Sequence, residues 1–455
     1  MGLYGIGKDL FSRTAGFLAA LIYIACPYMF FFDRLALVDG LVSAFGIWMV
    51  RWSFHIVHEK VSLDRGFLVL GVLMGAALLT KATALLLFPL PPVIFYLWRT
   101  HQKEQFWIHG GIGCAVILAM NLPVLLGGPD IGTGGRIPFL HRPGYFIAPS
   151  VLLAFPWEIW YRNLVIIREF LVSYMTLPLS LVLMASLVYL FTEHRRAEKV
   201  LWFWFLFPIL VILVIANGFF SRYFVMMIPA AILLIAAACD RLSHFIIVTV
   251  KKLAHSTEKA RMKARAGALA GLMFLVLFNA AALDLALIHR PEKAPIHPLD
   301  RMLYIEGMNS GYGVREAADF LANEARDFRE RMGYPLPVML PMSPGNPPQG
   351  VTVYLWDHPA VRLVPAYWWP ESPRLIPGDS RFTLRPSIYH FTPKYRREIS
   401  LLNRAYFIYP YTTYPKERFL KENPEFQLDR QFKKLDPNLS VSLYRHHPKP
   451  VEMPE

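Results

Sequence analysis

Nine apolar segments follow one another along the first two thirds of the chain, at about residues 15–32, 40–54, 66–80, 82–98, 106–126, 170–191, 200–216, 223–239 and 267–288. Crossing the hydrocarbon core of a bilayer takes about 20 apolar residues, range about 17–25. The second and third segments reach that length only with Trp52, Phe54 and Leu63 at their flanks. With 55% hydrophobic and 18% charged residues in 455, the chain is too apolar for an ordinary soluble domain. The expected fold is a mostly α polytopic membrane protein with about nine transmembrane helices.

The formal charge of +14 does not point to nucleic acid, because the basic residues fall in short clusters between apolar runs. They act instead as topology signals. Alternate loops receive Lys8 and Arg13, Lys60 and Arg65, Arg99 and Lys103, Arg195, Arg196 and Lys199, and the run that begins at Lys251. That side is expected to be cytoplasmic. The other side receives Arg34, Lys81 and Arg222 singly, a long loop at 127–169 and everything after the ninth segment. An apolar run also opens the chain behind Lys8 and Arg13, but Cys26-Pro27-Tyr28 makes a poor cleavage site, so it is read as a retained span. Cys26, Cys114 and Cys239 all lie in apolar segments without metal-ligand or disulfide spacing, and are expected to be core thiols.

After Arg290 the hydrophobic runs shrink and prolines crowd the chain. Residues 1–290 are therefore expected to form the membrane domain, and 291–455 a soluble α/β domain on the extracytoplasmic side. A helix is predicted over VREAADFLANEARDFRERM, where Ala317, Phe320, Leu321 and Phe328 share a face. Strands are predicted at LPVMLP, GVTVYLW, RAYFIYP and LSVSLYR. Tyr367, Trp368 and Trp369 form an aromatic cluster suited either to a substrate or to a buried strand end. No repeat, Gly-rich phosphate loop or HExxH motif occurs.

The ionisable residues on the non-cytoplasmic side are the candidates for chemistry. Asp39 directly precedes an apolar helix, where a carboxylate either caps the helix or faces a reaction centre. Lys81 interrupts an apolar run, as a snorkelling lysine or as a phosphate ligand. Arg222 and Tyr223 open a span from the same side, and a carboxylate with a lysine and an arginine suits a phosphate-bearing, hydroxyl-directed reaction. Asp33 and Arg34 are expected to shape the turn that presents Asp39. The 127–169 loop adds Arg136, His141, Arg142 and Tyr145, then Glu158, Trp160 and Arg162, a content that fits a sugar phosphate or lipid headgroups alike.

Three stretches, at 2–40, 71–91 and 221–238, stand in an order that resembles the bacterial GT-C membrane glycosyltransferases, the superfamily of the protein O-mannosyltransferases and lipid A aminoarabinose transferases. The resemblance implies transfer of a sugar from a polyprenyl-phosphate donor to a lipid, glycan or protein acceptor at the outer face of the cell (inner or plasma) membrane. It leaves any divalent metal requirement open. By position, Asp39 matches the acidic residue near the catalytic centre, Lys81 the lysine that neutralises the lipid phosphate, and Arg222 with Tyr223 either a second phosphate clamp or a structural hinge; Arg142 and Glu158 are further substrate-binding candidates. The family carries its principal aspartate in a large first outer loop that this sequence lacks, so an additional span and an acidic loop are expected ahead of Met1, and weak transfer by the chain without them. A transporter or flippase for a lipid-linked sugar and a non-catalytic assembly protein are the alternatives. The boundary position of the charges favours surface chemistry over a transporter's midplane site. Reporter fusions are expected to place the 291–455 domain outside and 251–265 inside; a cytoplasmic C-terminal reporter would overturn the orientation.

Overall fold

The computed structural model describes residues 1–35, 37–98, 103–126, 146–190, 196–253, 258–307, 310–341, 348–366, 405–408, 420–421 and 424–447. The chain divides into two compact units, Met1–Pro295 and Ile296–Glu455.

Helices build the first unit: α1 (Gly2–Leu10), α2 (Arg13–Ala25), α3 (Pro27–Asp33), α4 (Val38–Val57), α5 (Leu63–Thr80), α6 (Leu90–Trp98), α7 (Lys103–Leu126), α8 (Pro149–Leu153), α9 (Trp157–Met175), α10 (Leu177–Ser186), α11 (Arg196–Ile215), α12 (Ile228–Leu253) and α13 (Glu258–His289). Among the described residues, five helical segments are long and apolar enough to cross a membrane: Val38–Val57, Leu63–Thr80, Arg196–Ile215, Ser221–Phe245 and Lys263–His289. The count reaches seven if each of two bent pairs, α2 with α3 and α9 with α10, forms one span. The other two apolar segments fall on Ala82–Trp98, a 3-10 turn followed by the short α6, and on α7.

Breaks account for part of the difference from nine. The chain turns by 57° between α2 and α3, where Pro27 cannot continue the hydrogen-bond ladder, and by 112° between α9 and α10, at Thr176 with Pro178 just beyond. Burial separates the bundle's axis from its periphery. The most apolar window of Ser221–Phe245 is 94% enclosed, against 33% for Leu63–Thr80 and for Lys263–His289. Small residues set the closest approaches: a Cβ on Gly7 of α1 would stand 2.8 Å from Gly16 Cα in α2, and one on Gly71 of α5 2.7 Å from Gly113 O in α7. At one end of the bundle Ser12 Oγ accepts from Ala15 N at 2.9 Å, capping α2, and donates to Asp240 Oδ2 at 2.7 Å. Arg265 donates to the other oxygen of Asp240 at 2.9 Å, so one buried carboxylate ties α2, α12 and α13 together. Cys26 and Cys239 are buried, whereas Cys114 is exposed on α7, where an apolar thiol can face lipid as readily as core.

The second unit contains α14 (Pro298–Asp300), α15 (Val314–Met332), α16 (Pro348–Leu355) and a five-stranded sheet: β1 (Leu336–Pro341), β2 (Val361–Ala366), β3 (Ala405–Ile408), β4 (Phe426–Lys433) and β5 (Ser440–His446), in the order β2-β1-β3-β5-β4. Strand β1 runs parallel to β2 and β3, and β5 is antiparallel to β3 and β4. Ala317, Leu321, Ala325 and Phe328 of α15 pack with Leu336, Val338, Tyr406, Val441 and Leu443 of the sheet. The predicted strand at GVTVYLW is a helix. Parallel β1 and β2 need a crossover, and α16 supplies it by burying Val351 and Leu355, four residues apart, while Val353 between them is 78% exposed. The Tyr367–Trp369 cluster lies outside the described residues.

Lys434 is buried just beyond β4 and donates to Ser310 O at 2.6 Å, Ser310 Oγ at 3.2 Å and Tyr312 O at 3.3 Å, tying the approach to α15 onto the sheet. Burial pushes its pKa down to about 8. An unfolded lysine titrates near ~10.4, so between these values the unfolded chain binds the more protons and the domain gains stability as pH rises through that window. Thermal unfolding of this domain in the solubilised protein is expected to shift upward from pH 8 toward pH ~10. Lys434→Met should flatten that rise, and by stranding buried carbonyls should cost about 1–3 kcal/mol at neutral pH.

Candidate functional site

Three helix breaks bring the candidate residues together. The first is the start of α4. Leu37 occupies its cap, so Asp39 lies inside the first turn rather than at the cap, where the amide dipoles of the helix favour a carboxylate. The second is Lys81, whose extended backbone (φ −164°, ψ 134°) separates α5 from a 3-10 turn at Ala82–Leu87. The third is the 3-10 segment Ser221–Met227, which leads into α12 and carries Arg222 and Tyr223.

Lys81 Nζ donates to Asp39 Oδ1 at 2.5 Å, with side-chain exposures of 20% and 7%. The same ammonium lies 4.5 Å from the centre of the Tyr223 ring. The Arg222 guanidinium stands over Phe220 at 4.8 Å and 5.9 Å from the Tyr223 ring, and acts electrostatically on Lys81. A buried carboxylate, two cations and a neutral phenol thus share one place, with a net charge of +1 when the carboxylate and both cations are ionised. The arrangement can hold a dianion, its charge met by the ammonium and guanidinium.

The 3-10 segment needs outside donors, since its carbonyls are not all served by an α-helical ladder. Tyr28 of α3 donates to Ser221 O at 2.7 Å, Ser43 of α4 to Val225 O at 3.3 Å and Trp204 of α11 to Met226 O at 3.0 Å. All three side chains are fully buried. Sequence reasoning gave none of them this role, because a hydroxyl or indole in an apolar run looks like filler until its acceptor is known.

Residues 1–126 match the sequence model of the dolichyl-phosphate-mannose-protein mannosyltransferases. The resemblance to the GT-C membrane glycosyltransferases is borne out over that stretch, which holds Asp39 and Lys81 but not Arg222, Tyr223 or the second unit. No curated protein matches the sequence. The chain is also similar to two crystal structures of ArnT from Cupriavidus metallidurans. One is in the apo state, at 15% identity and a TM-score of 0.48; the other is bound to undecaprenyl phosphate, at 14% identity and 0.47. Each comparison covers 98% of this chain and 82% of that one.

The remaining described candidates stand apart from this group. Arg136, His141, Arg142 and Tyr145 lie outside the described residues. Glu158, expected in a loop, is exposed in the first turn of α9, because the helix starts as soon as Pro156 is passed. Trp160 and Arg162 serve the end of α11: the indole donates to Val214 O at 3.1 Å and the guanidinium to Asn217 O at 2.9 Å. Asn163 joins them, donating to Leu213 O at 3.1 Å and Ala216 O at 2.7 Å. Asp33 and Arg34 do not pair with each other in the turn; Tyr23 Oη donates to Asp33 at 3.0 Å, while Arg34 lies over Phe30. Among the described residues no cluster of three or more His, Cys, Asp or Glu side chains is placed to hold a metal ion.

Breaking one side of the Asp39–Lys81 pair strands the other in a part-buried place. Asp39→Asn and Lys81→Met are each expected to destabilise the membrane domain, and the double variant less than their sum. A double-mutant cycle on thermal unfolding should return a coupling of about 1–3 kcal/mol; additive effects would show that the two side chains do not support one another.

Proposed function

We propose that the chain is a membrane glycosyltransferase that moves a sugar from a polyprenyl-phosphate donor to a hydroxyl-bearing acceptor at the outer face of the membrane. The reading is carried by one observation: Asp39, Lys81, Arg222 and Tyr223, distant in sequence, form a single cationic group at helix breaks. The mannosyltransferase match over residues 1–126 supports this reaction class.

In this reading Lys81 and Arg222 receive the donor's phosphate. Lys81 exchanges the Asp39 carboxylate for a phosphate oxygen, and Tyr223 keeps the ammonium in place through its ring face. The carboxylate so released sits beside the reacting centre as a base. The acceptor oxygen attacks the anomeric carbon and the bond to the phosphate oxygen breaks. The electron pair leaves with the phosphate, and the acceptor's proton passes to Asp39. Attack opposite the leaving group inverts the anomeric centre. The two cations act mainly in the transition state, where charge grows on the departing phosphate, and fixed charges already in place need no reorganisation there. The acceptor is a lipid, glycan or protein, and the C-terminal α/β domain lies on the same outer side.

Full-length protein reconstituted with a radiolabelled polyprenyl-phosphate sugar is expected to transfer the label to acceptors in a membrane extract. Asp39→Asn and Lys81→Ala should each lower that rate about 10²–10³-fold, the usual loss on removing one preorganised electrostatic partner. Movement of the lipid-linked sugar across the bilayer without transfer would instead make the protein a transporter, and wild-type transfer by Asp39→Asn would remove it from the chemistry.

A further inference from the structure

The α2–α3 break carries a second polar group that the scheme above leaves unused. Tyr23, in the last turn of α2, donates to Asp33 Oδ2 at 3.0 Å. The other oxygen of Asp33 lies against the start of α4, where a Cβ on Gly40 would stand 2.6 Å from it. Arg34 follows, its guanidinium 4.8 Å from the centre of the Phe30 ring. From the other side α13, which packs on α2 and α3, brings Asp284.

Asp284 is the informative residue. It lies within the Lys263–His289 span, is only 8% exposed, and its Oδ1 is buried with no hydrogen-bond partner. Arg34 is the charged group that acts on it, and Asp33 and Asp284 both bear electrostatically on the Cys26 thiol at the break. A buried acceptor without a donor is costly in an apolar span. Something that donates a hydrogen bond there would remove the cost.

Charge restricts what that is. With both carboxylates ionised, two against one guanidinium leave this group at −1, whereas the Asp39, Lys81 and Arg222 group stands at +1. The start of α4 lies between them, with Asp39 turned to Lys81 and Gly40 abutting Asp33. A phosphate belongs with the cations and is repelled from the carboxylates. A polyhydroxylated ring fits the second group, since its hydroxyls donate to carboxylates and accept from a guanidinium. A metal ion is less suited, because no three ligating side chains converge among the described residues.

We infer that Asp284 and Asp33, with Arg34 and Tyr23, form a subsite for the hydroxyl groups of a sugar, beside the cationic group at the other flank of the α4 start. Asp284 Oδ1 accepts from one hydroxyl, and the Asp33 carboxylate, held by Tyr23, accepts from another. The assignment rests on the proposed function for its setting, but its test requires no transfer.

The test is equilibrium binding by the full-length protein in lipid nanodiscs, with two separate probes: undecaprenyl phosphate, and free mannose or glucosamine. Asp284→Asn and Asp33→Asn are expected to weaken monosaccharide binding about tenfold or more and to leave undecaprenyl phosphate binding within about twofold, as separate sites should. Lys81→Ala should do the reverse. If Asp284→Asn loses both ligands through misfolding, the exposed Asp33→Asn decides. Wild-type sugar affinity in the carboxylate variants would overturn the inference, as would a wild type that binds no monosaccharide. A preference for glucosamine over mannose that disappears in Asp284→Asn would replace the hydroxyl by an ammonium and overturn the assignment as stated. Failure of the wild type to bind undecaprenyl phosphate would count against the proposed function alone, leaving the sugar result to stand by itself.

Discussion

Lys81 can stay ionised inside an apolar bundle only while a counter-charge is held against it, and Asp39 at 2.5 Å is that counter-charge. Much of the membrane domain's local geometry follows from keeping the pair. The lysine needs an end of helix to reach it from, so α5 stops at Thr80 and a 3-10 turn follows. The aspartate needs amide dipoles behind it, so it sits in the first turn of α4. Neither residue is held by its own helix alone. The third wall, Tyr223, is held by a segment whose carbonyls draw donors from α3, α4 and α11.

Residues of the pair lie 42 positions apart and both were readable in the sequence as single charges at the ends of apolar runs. Helical amphipathicity made α15 legible, from Val314 to Met332. Edge strands were harder. Pro365 in β2 is tolerable only because β2 is an outer strand of the sheet, and β4 is built from polar residues because one side of it has no neighbour. GVTVYLW shows the converse failure, since its alternating valines satisfy a strand pattern but the connection it occupies requires a helix. Span count also differs, five to seven among the described residues against the nine expected. Hydropathy measures length along the chain, and it does not register a 112° bend at Thr176.

Asp284 was missed for a different reason. A lone carboxylate near the end of an apolar segment reads as an interfacial residue, and only the packing of α13 on α2 and α3 shows it enclosed. The rule that an ionisable residue within a span marks function by default would have singled it out. Asp33 was read only as shaping the turn with its neighbour Arg34, and the bond it accepts is from Tyr23, ten residues earlier. Adjacent residues in a turn point apart, whereas the bend at Cys26 folds α3 back toward the last turn of α2.

The breaks themselves form one connected region. Tyr28 of α3 donates to Ser221 O and packs at 5.0 Å on Tyr174, the residue two before the α9–α10 bend; Phe31 and Phe32 pack on the same ring at 5.6 Å. Irregular backbone at membrane depth survives only where protein encloses it or where it lines a cavity. Its carbonyls and amides otherwise face lipid with nothing to bond. Enclosure is what the aromatic cluster and the 94% buried Ser221–Phe245 segment provide. A bundle of unbroken helices would bury its backbone at no such cost, yet it would present only side chains along continuous ladders. The interruptions at Lys81, at 221–227 and between α2 and α3 give helix starts and turned side chains, which are the means by which a membrane bundle concentrates fixed charge. Charged groups and backbone breaks therefore occur together because each one makes the other tolerable.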